Sequence, residues 1–109
     1  PELQHKITGG SVRVPVSDGS MTELTLFTSQ KVTAAEINTA MKLAAEGNLK
    51  GILSYTEDPI VSADIIGNPH SCVFDSGLTL VFNNLIKVVG WYDNEMGYSN
   101  RLVDLIKIL

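Results

Sequence analysis

Residues 91–101 read Trp91-Tyr92-Asp93-Asn94-Glu95-Met96-Gly97-Tyr98-Ser99-Asn100-Arg101. An apolar run from Leu85 to Tyr92 precedes them, with the look of a strand. Behind them Leu102, Leu105, Ile106 and Leu109 recur at i, i+3, i+4 and i+7, the spacing of one buried helix face. The quoted stretch is therefore a strand-to-helix junction, and it carries more chemistry than a connection needs. Asp93, Asn94 and Glu95 stand where a helix start offers free N–H groups and the positive end of a dipole, so they suit an N-cap. Asn94, with one acceptor and two donors, equally suits recognition of an amide on a ligand. Tyr98, one turn along, either offers a flat face to a ring or sits at the core edge of the helical stripe. Trp91, at the strand end, reads as structural.

Working outward, Leu78–Phe82 forms a strand that turns through Asn83-Asn84 into the strand before the junction. Asparagine tolerates positive φ, so a tight hairpin is expected. Cys72–Phe74 and Gly51–Tyr55 read as short strands, separated by an irregular stretch over 56–71 that Pro59, Gly67 and Pro69 interrupt. Thr33 followed by Glu36 makes a capping box, and Ile37, Ala40, Met41 and Ala44 give one apolar stripe. Gly47 is expected to end that helix in a left-handed conformation. Further back, Val12, Val14 and Val16 alternate with Arg13 and Pro15 as a strand. A turn at Ser17-Asp18-Gly19-Ser20 leads into a second strand over 21–28, with Leu24 and Leu26 on one face, and the two are expected to pair antiparallel. Strands, helix, strands and helix joined by hairpins define an α+β fold: a mostly antiparallel mixed sheet with helices on one face. No Gly-x-Gly-x-x-Gly and no β-α-β run of parallel crossovers occurs, so these residues are not a dinucleotide-binding fold.

The 109 residues are enough for one domain with one core. A net charge of −4 with eight scattered basic residues argues against a nucleic-acid partner. No apolar run is long enough to span a bilayer, and the polar N-terminus lacks the layout of a signal peptide. The single cysteine, Cys72, cannot form an internal disulfide and favours a reducing compartment. The chain starts on Pro1 and stops within an apolar helical pattern at Leu109, so both ends are expected to continue into something longer.

Three further residues are candidates for chemistry. Arg13 among valines either faces solvent at a sheet edge or turns its planar fork toward phosphate oxygens. His70 and Cys72 would share a face of a strand, and a histidine can activate a thiol. No third, orienting residue accompanies them, and a lone cysteine is more often a small buried hydrophobe. One cysteine and two distant histidines make no zinc ligand set, and no metal site is expected.

Four motifs in order carry a resemblance to a known family: Gly10-Ser-Val-Arg13-Val-Pro15, Ala45-Glu-Gly47-x-Leu-Lys-Gly-Ile-Leu53-x-Tyr-Thr-Glu-Asp-Pro59, Pro69-His-Ser-x-x-Phe-Asp75-x-Gly77 and Lys87-Val-Val-x-Trp-Tyr-Asp-Asn-Glu95. Over its whole length the chain resembles glyceraldehyde-3-phosphate dehydrogenase, in the carboxy-terminal part of the catalytic domain with the final helix. The resemblance implies that residues 1–109 are a partial catalytic domain, the Rossmann NAD-binding domain lying outside them. It implies a cytoplasmic homotetramer that oxidises glyceraldehyde 3-phosphate through a thioester and cleaves that thioester with inorganic phosphate. The cofactor would be NAD, or NADP, since the choice between them falls mainly to the other domain.

By the same resemblance Arg13 binds a phosphate group of the substrate or the attacking phosphate. Asn94 contacts the nicotinamide carboxamide, and Tyr98 packs near the nicotinamide. The reactive cysteine, in a Ser-x-Cys-Thr-Thr-Asn context, and its histidine partner match nothing here, so no catalytic residue is assigned and the chain alone is expected to be inactive. Cys72 matches a position of packing rather than chemistry. Met96 stands where the family has tryptophan, and Val16 where it has threonine. Two alternatives accompany this expectation: a non-catalytic association module built on the same domain, and the related erythrose-4-phosphate dehydrogenase, against which Tyr92 and Tyr98-Ser-Asn-Arg101 favour the triose enzyme.

Overall fold

The computed structural model describes residues 1–109. Five strands and two α-helices follow one another as β1 (Ser20–Phe27), α1 (Ala34–Glu46), β2 (Leu53–Thr56), β3 (Cys72–Asp75), β4 (Leu80–Phe82), β5 (Leu85–Tyr92) and α2 (Met96–Ile108). Short 3₁₀ turns at Ser62–Ile65 and Ser76–Leu78 flank β3. The sheet runs β1-β5-β3-β2, with β4 also on β5. All the pairings on β5 are antiparallel, and β2 and β3 are parallel. This is the mixed, mostly antiparallel α+β sheet that the sequence order predicts.

β5 organises the sheet because its residues can be buried from both sides. Ile86 and Val89 are 4% and 2% exposed. Together with Leu53, Ile65, Val73 and Phe74 they make the core. Burying each such side chain contributes about 1.5–3 kcal/mol. Phe74 also stacks on Tyr55, with ring centroids 6.0 Å apart. The β4–β5 turn is the expected two-residue hairpin: Phe82 pairs with Leu85, and Asn83 takes φ 55°. The Trp91 indole N–H donates to Asp75 Oδ2 at 3.0 Å, tying β5 to the end of β3, which makes Trp91 structural as expected. Gly90 lies opposite Phe74 across the β3–β5 pair, and Cys72 Sγ fills the space its side chain would take: a Cβ there would lie 2.5 Å from the sulfur.

α1 forms where the capping box places it. The Glu36 N–H donates to Thr33 Oγ1 at 3.2 Å, and the Thr33 N–H donates to Glu36 Oε2 at 2.7 Å. The Thr33 bonds hold the Glu36 carboxyl below its usual range. Asn38 then fastens the helix to the turn after β3, donating to Ser76 O at 3.1 Å and accepting from the buried Thr79 hydroxyl at 2.7 Å.

The structure corrects four expectations. Gly47 ends α1 with φ −107° and ψ −114°, not in the left-handed region; a glycine is still needed, because a Cβ would meet Leu43 O at 2.9 Å. Val12–Val16 is not a strand. Pro15 has no N–H, the one backbone bond is the local Val16 N–H to Val14 O at 2.9 Å, and no strand lies alongside, so Val12 stays 87% exposed. β1 consequently pairs with β5, not with this segment. The final helix exists, but its apolar stripe is not buried: Leu102, Leu105, Ile106 and Leu109 are all exposed, because no part of the chain covers that face.

Candidate functional site

The end of β5 delivers the chain into a tight turn that one carboxylate shapes. Asp93 is 3% exposed. Its Oδ1 accepts the N–H groups of Met96 at 2.8 Å and Glu95 at 2.9 Å, and its Oδ2 accepts the Gly67 N–H at 2.8 Å. The Met96 bond first, then the Gly67 bond, pull the carboxyl down to about 2. The helix-cap reading of the junction therefore holds for Asp93 alone. Glu95 gives no side-chain cap, and Asn94 points elsewhere.

Two more contacts seat the first turns of α2. Gly97 is buried against the backbone before β3, where a Cβ would lie 2.8 Å from His70 O. Arg101 reaches Gly51 O and Ser71 Oγ, both at 3.3 Å, and pairs with Asp104 at 2.7 Å. With cap, close approach and arginine in place, the start of α2 is fixed while its far end projects.

The two side chains singled out in this stretch stand over one hollow. Asn94 is exposed; its Oδ1 accepts from Ser20 Oγ at 3.3 Å, and its two amide N–H donors have no partner in the chain. Tyr98 is 66% exposed. Both line an open cavity of 230 Å³ together with Ser71, Tyr92, Asp93, Gly97 and Arg101. An amide with free donors beside an exposed aromatic face can bind a flat ring that bears a carbonyl.

Arg13 is not brought to this place. It lies exposed on the irregular segment before β1, without an ion pair. A larger hollow of 460 Å³ between α1 and β2 contains His70, but neither Arg13, Asn94 nor Tyr98. Cys72 is free and half-buried, and burial pushes its thiol up, away from the reactive thiolate. The His70 ring is engaged with Asn68 Oδ1 at 2.8 Å. No group of His, Cys, Asp and Glu could hold a metal ion.

Sequence reasoning missed Ser20, Gly97 and Arg101 as parts of the site. Ser20 reaches Asn94 across 74 residues, so only the β1–β5 register reveals it. Gly97 and Arg101 did carry a local signal, a glycine one turn before an arginine on the same helix face.

The class of protein follows: an α+β domain with an open hollow at a strand-to-helix junction. The family profile "Glyceraldehyde 3-phosphate dehydrogenase, C-terminal domain" matches residues 1–94, and the chain belongs to that family. It is similar to glyceraldehyde-3-phosphate dehydrogenase 2 of Streptomyces avermitilis, with 59% identity over 106 residues that cover 96% of this chain and 32% of that protein. Glyceraldehyde-3-phosphate dehydrogenases of Mycobacterium bovis strain BCG and Mycobacterium leprae are each 56% identical over the whole chain, again covering 32% of their length. The chain thus spans about a third of the curated relatives it matches.

Proposed function

We propose that this domain serves an NAD-dependent, phosphorylating oxidation of glyceraldehyde 3-phosphate, within a cytoplasmic homotetramer of glycolysis, and that it supplies the contact to the nicotinamide end of the cofactor. One observation carries the reading: Asn94 stands exposed at the β5–α2 junction with its amide N–H donors free and its oxygen already engaged by Ser20. That donor set fits a carboxamide oxygen. Tyr98, exposed in the same hollow, supplies a flat neighbour for a ring. NAD, when bound, supplies the hydride acceptor, with NADP decided elsewhere in the subunit. Arg13 contributes a guanidinium suited to the phosphate of the substrate or to inorganic phosphate. The cysteine nucleophile and its histidine are not among these residues, and Cys72, held neutral by burial, does not replace them. The names of the relatives favour the triose phosphate over the tetrose phosphate and the enzyme over a non-catalytic module.

In the full-length subunit, Asn94→Ala is expected to raise the dissociation constant for NAD about fivefold, the loss of about one net hydrogen bond. An unchanged constant by calorimetry would remove the nicotinamide contact from this domain.

A further inference from the structure

A side chain that recognises a ligand is only as selective as the backbone that aims it. Asn94 has a single internal bond, the 3.3 Å contact from Ser20 Oγ. Its backbone is held far more firmly. Asp93 Oδ1 closes the turn 93–96 by taking the N–H groups of Glu95 and Met96, and Asn94 lies inside that turn. Asp93 Oδ2 takes the Gly67 N–H, which anchors the same turn to the loop that follows the Ser62–Ile65 helical turn. Gly67 adopts φ 79°, a conformation open to glycine, so the donor is presented by a backbone that other residues reach only with strain. A carboxylate is the one short side chain that can accept on both oxygens at once: asparagine has a donor in place of the second acceptor, and serine has one oxygen only.

We propose, building on the nicotinamide reading, that Asp93 is the positioning residue for the amide-recognising side chain: it fixes the 93–96 turn on two sides and thereby sets the direction in which Asn94 presents its donors to a pyridine carboxamide. Asp93 acts through Asn94, because each of its oxygens is committed to backbone N–H groups. The chemical class recognised is a planar ring carrying a primary carboxamide, not the phosphates or the adenosine of the cofactor. A merely structural Asp93 would instead support every ligand of the site equally.

The test compares two ligands on the full-length subunit by calorimetry: NAD, and ADP-ribose, which lacks the pyridine. Asp93→Ala is expected to weaken NAD about fivefold, the scale of a lost cap, and to leave ADP-ribose unchanged. Asp93→Asn retains a good cap but loses the Gly67 anchor, so it should fall between Asp93→Ala and the parent and serves where the alanine variant does not fold. Adding Asp93→Ala to Asn94→Ala should cause no further loss of NAD affinity, since the two act on one contact. Equal weakening of both ligands, unchanged NAD binding in both Asp93 variants, or a fully additive double variant overturns the positioning role. If Asn94→Ala leaves NAD binding intact, the nicotinamide contact itself falls and the positioning role with it; if only the Asp93 variants are silent, the contact stands and the positioning role alone is lost.

Discussion

At the scale of single residues the junction is a set of close tolerances. A methyl group on Gly97 would lie 2.8 Å from a backbone oxygen that cannot swing aside. Gly97→Ala should therefore destabilise the domain by about 1–3 kcal/mol and loosen α2, read as a lower Tm and faster amide exchange over Gly97–Arg101. Asp93 carries a pH dependence of definite sign. Its carboxyl, with Asp18 beside it, titrates near 3.8 when unfolded and about 2 when folded, so its contribution is complete above about pH 5 and is lost as the pH falls through 2. Acid unfolding followed by circular dichroism should begin in that window, and Asp93→Asn should flatten the slope there. That Asn94 and Tyr98 lie on one hollow was legible in the residues themselves, since they stand one helical turn apart. The division of labour between Asp93 and Asn94 was not, because neighbouring polar residues at a helix start look alike until the turn shows which one faces inward.

Among the elements, α1 shows how far local rules reach. Its start rests on two reciprocal bonds between Thr33 and Glu36. Thr33→Ala should cost about 1 kcal/mol, measured as a shift in denaturation midpoint with unchanged slope. The capping box, the Asn83-Asn84 hairpin and the short strands were all readable because each depends on residues adjacent in the chain. Val12–Val16 was misread for the opposite reason: alternation describes a strand only where another strand accepts its hydrogen bonds, and none lies beside this segment. The partner of β1 is likewise a long-range fact, set by β5 some 65 residues away, which no turn signal near Ser17–Ser20 could reveal.

For the molecule as a whole, what is uncovered matters as much as what is packed. The radius of gyration is 15.0 Å, against about 13 Å for a compact domain of this length. Phe27, Phe82, Ile106 and Ile108 are each at least 70% exposed. Apolar surface of that kind favours association. Sedimentation of the 109-residue chain should show species heavier than the 11.8 kDa monomer, and the same preparation with aldehyde, NAD and phosphate should form no reduced cofactor. A clean monomer would contradict the first expectation, a burst of reduced cofactor the second. The periodicity of α2 was read correctly from the sequence, but periodicity states only that a face is apolar and leaves open which surface covers it.

The sulfur of Cys72 acts as the side chain that Gly90 lacks, a plug borrowed from the neighbouring strand. A second occupant of that space, the methyl group of Gly90→Ala, should act as a wedge, forcing the Cys72 side chain to turn away or straining β3 against β5 beside the Asp75–Trp91 clasp.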